Sequence, residues 1–170
     1  MTNPFELFGL PESFRISADD LRTAYLRAIK AHHPDKYLQD PVAHERALKT
    51  SADIHEAYQV LSNPLDLIGF MLRKKGVLDE KEALPQDFLF EMMDLNEQLD
   101  ELEHARDEKI LATLQRELQN WEAQLTEKLH QSIEKQEDGG EGNLIPIKDS
   151  YLKMKYILRL KERMVNFASR

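Results

Sequence analysis

Residues 17–36 read SADDLRTAYLRAIKAHHPDK, and this stretch decides the fold. Ser17 has the residue type of an N-cap, with Asp20 three residues on in the first turn. Leu21, Ala24, Tyr25, Ala28, Ile29 and His32 then recur at i, i+3, i+4 and i+7 spacing, the period of an amphipathic helix. Pro34 stops the pattern, because the residue before a proline is pushed out of the α region. A helix is therefore expected from Ala18 to about His33, ending in a loop that carries His33-Pro34-Asp35-Lys36.

Upstream, Pro4 opens a short apolar turn, Phe5-Glu6-Leu7-Phe8, closed by Gly9 and Pro11. Downstream, a second long helix is expected from about Pro41 to Leu61, with Ala47, Leu48, Ser51, Ile54, Tyr58 and Leu61 on one face. Asn63-Pro64 breaks it, and a shorter helix with Leu67, Ile68, Phe70, Met71 and Leu72 stops near Gly76. Residues 77–84, VLDEKEAL, read as a charged linker. Pro85 suits a helix start, and a helical pattern follows to about Glu103. Another runs from about Glu108 to Lys135 through Ile110, Leu111, Leu114, Leu118, Trp121, Leu125, Leu129 and Ile133, with Trp121 and the leucines expected in the core. No Gly or Pro separates these two patterns, so spacing alone permits one long helix. The glycine-rich stretch from Asp138 to Asn143 reads as a loop, and a last helix is expected from about Lys148 to Ala168. No strand pattern of useful length and no internal repeat stand out. The expected fold is all-α, in two parts.

Composition narrows the function. The chain has 170 residues, 41% hydrophobic and 32% charged, and no cysteine. That excludes disulfides, thiolate-ligated zinc, cysteine nucleophiles and cysteine-ligated iron–sulfur clusters. Mean hydropathy is −0.58, and no apolar run approaches the ~20 residues of a membrane span, so a soluble protein is expected. The first fourteen residues carry Glu6 and Glu12 but no Lys or Arg, unlike a signal or transit peptide, so the expected compartment is the cytoplasm. The net charge of −8 is unevenly placed: residues 1–76 hold 10 basic and 10 acidic residues, residues 77–170 hold 13 and 21. A nucleic-acid binder shows the opposite bias, because phosphate binding needs clustered Lys and Arg.

The tripeptide His33-Pro34-Asp35 is weak alone, expected by chance in about one chain in a hundred of this length. Adjacent histidines at a helix end point in different directions and lack a nearby carboxylate cluster or cysteine, which disfavours a metal site. His33 with Asp35 has the residue types of a general base, yet no nucleophile or glycine-rich phosphate loop accompanies them. The tripeptide could also simply end a helix. Its placement is the stronger signal: it lies between two antiparallel helices, behind Phe-Glu-Leu-Phe-Gly-Leu-Pro. Together these resemble the J-domain, an antiparallel helical hairpin with short flanking helices found in DnaJ-type co-chaperones, which stimulate ATP hydrolysis by DnaK-type chaperones. The resemblance implies that His33, Pro34 and Asp35 are the essential loop, and that Arg22, Arg27, Lys30 and Lys36 supply positive charge for docking on the chaperone. Where such helices often carry two adjacent basic residues after the aromatic, this chain has Leu26-Arg27 after Tyr25.

At about 100° per residue from Phe88, the side chains of Phe88, Met92, Leu95, Leu99 and Leu102 fall in one narrow stripe. Leu89, Phe90 and Met93 lie at about 100°, 200° and 140°, a second apolar patch edged by Asp94 and Glu97. Periodicity is satisfied equally by a further core element over this patch and by a protein-binding surface.

Leu-Phe-Gly-Leu-Pro, His-Pro-Asp-Lys and the stretch Met93-Asp-Leu-Asn-Glu-Gln-Leu-Asp-Glu-Leu-Glu103 together resemble the HscB family, J-proteins of iron–sulfur cluster biogenesis. The resemblance runs from about Phe5 to Phe167. It implies an N-terminal J-domain over 1–76 and a C-terminal three-helix bundle over 85–170 that holds an IscU-type scaffold protein. It also implies a reversal near His104–Glu108, where Asp107 could serve as N-cap. By resemblance the scaffold-binding residues are Leu89, Phe90, Met93, Asp94, Glu97 and, on the last helix, Tyr156. Periodicity does not decide Tyr156, because that helix is apolar on several sides. Family members often carry Phe at that position and a basic residue where Asn96 stands. The implied activity is that of an adaptor, not an enzyme: it binds the scaffold, delivers it to an HscA-type chaperone and stimulates that chaperone's ATPase. No cofactor and no metal are expected; the cysteine-rich zinc module of some eukaryotic relatives is absent from this sequence. A general J-protein for unfolded clients would call for a Gly/Phe-rich linker or cysteine repeats, and neither is present.

Overall fold

The computed structural model describes residues 3–79, 81–105, 107–137 and 143–168, with backbone alone for 105, 167 and 168. All regular secondary structure among the described residues is helical, without strands, and the chain divides into two compact units, Met1–Lys75 and Gly76–Arg170. Residues 138–142 of the expected loop, and the Phe167 side chain, lie outside the described residues.

In the first unit, α1 (Pro4–Phe8) is a short helix capped by the Asn3 side chain and closed by Gly9 at φ 66°, a left-handed position that favours glycine. Helix α2 (Ala18–Ala31) starts at the Ser17 cap, whose hydroxyl accepts from the Asp20 N–H at 3.3 Å. A 3₁₀ turn over Pro34–Tyr37 leads to α3 (Pro41–Ser62), which packs along α2 as the second arm of a hairpin. Asp40 caps α3 by accepting from the Val42 and Ala43 N–H groups. Asn63 ends α3 and caps α4 (Pro64–Lys74), accepting from the Leu65 and Asp66 N–H groups at 2.9 and 3.3 Å. Phe5, Phe8, Leu21, Ile54, Leu61, Met71 and Leu72 form the core, each at most 3% exposed.

Two core assignments differ from the expected face. Leu48 is 52% exposed, because at about 100° per residue it lies some 120° from Ile54, outside the buried stripe. Ala57, within that stripe, is buried in its place. The His32 side chain is also exposed, while its carbonyl accepts from Ser51 Oγ at 3.2 Å.

The second unit is a bundle of three helical arms, each packed on the other two. Its first arm is broken: α5 (Gln86–Glu91) and α6 (Met93–Ala105) are separated at Met92, where the pattern had suggested one helix. Helix α7 (Glu108–Glu137) is about 45 Å long at 1.5 Å per residue and packs chiefly on α8 (Ile145–Ala168). The reversal between α6 and α7 falls at Asp107, whose carboxylate accepts from the Lys109 N–H at 2.7 Å. Helix α8 begins three residues before the expected Lys148, with Pro146 in its first turn, where a missing N–H costs no hydrogen bond. The stripe Phe88, Met92, Leu95, Leu99 and Leu102 is buried, at most 4% exposed. It meets Leu114, Leu118, Leu125, Leu129 and Ile133 of α7 in one core with Ile147, Met154, Ile157 and Met164 of α8. Trp121 is only half-buried, its large ring lying edge-on to Phe88 at 5.6 Å. Within the expected linker, Leu78 is buried and Glu82 accepts from Lys148 of α8 at 3.0 Å, so part of it is fastened to the second unit.

Candidate functional site

The tip of the α2–α3 hairpin is built by its own sequence. Pro34 stands at the first position of the 3₁₀ turn, where its fixed φ suits the start. His33 caps that turn, its Nδ1 accepting from the Asp35 N–H at 3.3 Å. The Asp35 carboxylate lies 3.5 Å from the same nitrogen. The two contacts ask for opposite states of Nδ1. The cap requires an unprotonated nitrogen and accounts for the backbone geometry, whereas an ion pair between side chains this exposed adds little. The Asp35 side chain is 76% exposed, its carboxylate open to a partner's charge-assisted hydrogen bonds.

The four cations named from sequence divide in two. Arg22, Lys30 and Lys36 are exposed and have no hydrogen-bond or ion-pair partner among the described residues. Arg27 is committed within the fold: its Nη2 donates to the Phe8 carbonyl at 3.1 Å, tying the end of α1 to α2. Sequence carries no signal for that tertiary bond. Beside the loop a cleft of about 260 Å³ opens, lined by His32, Tyr37, Asp40, Val42, Arg46 and Thr50 among others. Leu38 and Val42 next to it are 66% and 60% exposed.

In the second unit, Leu89, Phe90 and Met93 are 41%, 69% and 52% exposed, so the described residues leave all three open to solvent. Asp94 and Glu97 are exposed on α6. Tyr156 is half-buried, its ring edge-on to Phe88 at 5.7 Å. Its hydroxyl accepts from Asn96 Nδ2 at 2.9 Å, a contact that makes Asn96 part of this neighbourhood. No periodicity signals a hydrogen bond between residues 60 apart in the chain. Among the described residues no helix is long and apolar enough to cross a membrane, and no His, Cys, Asp and Glu side chains are grouped as a metal ion requires. The arrangement offers two exposed surfaces, the His33–Asp35 tip and the apolar patch of Leu89, Phe90 and Met93.

A helical hairpin with His-Pro-Asp at its tip defines a J-domain protein, and residues 3–66 match the DnaJ domain family. Residues 84–165 match the family described as HSCB C-terminal oligomerisation domain. A co-chaperone HscB homologue of Haemophilus ducreyi is 35% identical over 140 residues, 77% of this chain and 81% of that one. One of Vibrio vulnificus is 31% identical over 170 residues, 95% of this chain and 94% of that one. Among solved structures, the chaperone HscB from Vibrio cholerae aligns with a TM-score of 0.73 at 26% identity, covering 97% of this chain and 96% of that one. Human co-chaperone HscB shares the fold, with a TM-score of 0.78 at 21% identity over 96% of this chain and 81% of that one. The chain belongs to the HscB co-chaperone family.

Proposed function

We propose that the protein is a bivalent co-chaperone of iron–sulfur cluster assembly. Its second unit binds an IscU-type scaffold through Leu89, Phe90, Met93, Asp94, Glu97 and Tyr156. Its first unit docks on a DnaK-type chaperone of the HscA type and stimulates its ATPase, promoting cluster maturation and transfer. The observation that carries this is the presence, in one chain, of an exposed His-Pro-Asp tip and an uncovered apolar patch with an acidic rim.

Each part has a physical role in binding and none in bond-making. Pro34 sets the direction of the loop, and Asp35 offers a carboxylate to a partner arginine. Arg22, Lys30 and Lys36 steer an acidic surface toward the loop, with Arg27 alongside holding α1 in place. Leu89, Phe90 and Met93 supply desolvated contact area, and Asp94 and Glu97 the polar rim. Carrying both surfaces on one chain raises the scaffold's effective concentration at the chaperone. A cysteine-free chain escorts a cluster without ligating it; the proposed setting is the cytoplasm, without membrane or nucleic acid.

The deciding experiment is steady-state ATP hydrolysis by the HscA-type chaperone, with and without scaffold. His33→Gln is expected to remove the stimulation while calorimetric affinity for the scaffold stays at the wild-type value. Equal stimulation by both proteins would overturn the co-chaperone assignment.

A further inference from the structure

The docking patch straddles a break in its helix. Leu89 and Phe90 stand before Met92; Met93, Asp94 and Glu97 stand after it. Their relative placement is therefore set by the turn at Met92. There the backbone has ψ near −4°, and the Met92 N–H reaches both the Phe88 and Leu89 carbonyls at 3.1 and 3.2 Å. The Met92 carbonyl in turn receives two donors from one residue: the Asn96 backbone N–H at 3.0 Å and Asn96 Nδ2 at 2.6 Å. Side-chain bonding to the i−4 carbonyl is a pattern that bends helices.

This contact also fixes which way the Asn96 amide faces. Only the NH₂ end can approach a carbonyl oxygen, so Nδ2 and not Oδ1 points at Met92. The same nitrogen lies 2.9 Å from the Tyr156 hydroxyl, so both of its hydrogens are committed and the hydroxyl oxygen accepts. The Tyr156 proton must then point away from Asn96, and no described residue receives it. The ring cannot swing to hide it, being packed edge-on to Phe88, which is 3% exposed and held in turn by Trp121.

We infer that Asn96 is a positioning residue of the scaffold-docking patch: it ties the Met92 turn to Tyr156 of α8 and aims the Tyr156 hydroxyl as a donor toward an acceptor oxygen of the bound protein. The inference rests on the docking role proposed above for this patch. The pair gives specificity to an otherwise greasy surface, because a partner lacking an acceptor at that point leaves a desolvated O–H unpaired.

The test is calorimetric titration of a purified IscU-type scaffold into the full-length protein and four variants: Asn96→Ala, Tyr156→Phe, the two combined, and Leu89→Ala with Met93→Ala. Loss of one directed hydrogen bond is expected to weaken binding about three- to tenfold in Tyr156→Phe, which keeps the ring. Asn96→Ala is expected to weaken it at least as much, and the combined variant no further than Asn96→Ala alone. Wild-type affinity in Tyr156→Phe overturns the inference. Losses that simply add overturn it as well, since Asn96 would then meet the partner by itself. Should Asn96→Ala fail to fold by circular dichroism, Tyr156→Phe decides alone. Undiminished binding by the Leu89→Ala, Met93→Ala variant overturns the docking role and the inference with it; loss there beside wild-type affinity in Tyr156→Phe overturns the inference only.

Discussion

Glu12 is held by two donors: Asn3 Nδ2 donates to its Oε1 at 3.0 Å, and Lys74 Nζ at the end of α4 donates to the same oxygen. The ammonium hydrogen bond is the larger influence and Asn3 the next, and together they hold the carboxyl below the ordinary glutamate range against the opposing effect of desolvation. The sign follows from linkage. A pKa lower in the folded than in the unfolded chain contributes stability above the unfolded value, and that contribution is lost as pH falls through the folded one. Titration of the Glu12 carboxyl by NMR should therefore show a depressed midpoint in the wild type and a clear rise toward the ordinary value in Lys74→Met. An unmoved midpoint would mean that the contact does not hold in solution. Glu12 and Arg27 share a lesson about surface charge. Neither announces a tertiary contact in the sequence, and both fasten the N-terminal segment to a later helix, Glu12 to α4 and α1 to Arg27 of α2. What distinguishes Arg22, Lys30 and Lys36 is that no such contact among the described residues claims them.

Helix boundaries were legible wherever a residue type forces them. Ser17, Pro34, Pro41 and Asn63-Pro64 punctuate the first unit, and each falls within a few residues of an observed end. The α6–α7 reversal has no Gly or Pro. There the periodicity is compatible with one continuous rod, and only the resemblance to a three-helix domain required a turn. The Met92 break was not legible, because the contacts that meet there, Asn96 Nδ2 on the Met92 carbonyl and on a tyrosine hydroxyl sixty residues away, leave no mark in the spacing. The same limit applies to the sites. His33-Pro34-Asp35 announces itself as a motif at the end of a helix. Whether Leu89, Phe90 and Met93 are covered depends on which elements fold over them, which spacing along one helix cannot specify. Asp107 is where local chemistry sets the reversal, since its carboxylate takes up an N–H that the first turn of α7 leaves without a helical partner. Asp107→Ala should cost about 1 kcal/mol in urea unfolding, while Asp107→Asn, which keeps an acceptor, should cost only a few tenths. Equal losses for both would show that charge near the helix terminus, rather than the cap, is what matters there.

At the scale of the whole chain, the −8 charge separates two modes of recognition. Residues 79–108 alone carry 12 acids against Lys81 and Arg106, while the first 76 residues are balanced and leave Arg22, Lys30 and Lys36 without a partner among the described residues. On the proposed function, the first unit meets its partner chiefly through exposed cations, and the second through apolar area with a charged rim. These respond differently to salt. Raising ionic strength from about 0.05 to about 0.3 M shortens the Debye length from about 14 to about 6 Å, screening exposed charges but leaving apolar burial nearly intact. The protein concentration giving half-maximal stimulation of the chaperone's ATPase should rise about fivefold or more across that range. Calorimetric affinity for the scaffold should change by less than about twofold, because Asp94 and Glu97 sit at the solvated edge of the patch, where charges contribute little. Neutralising Arg22, Lys30 and Lys36 together should flatten the first response and leave the second untouched. Parallel salt dependence for the two partners, or a scaffold affinity that falls as steeply as the stimulation, would mean that the acidic helix and not the apolar patch dominates scaffold recognition.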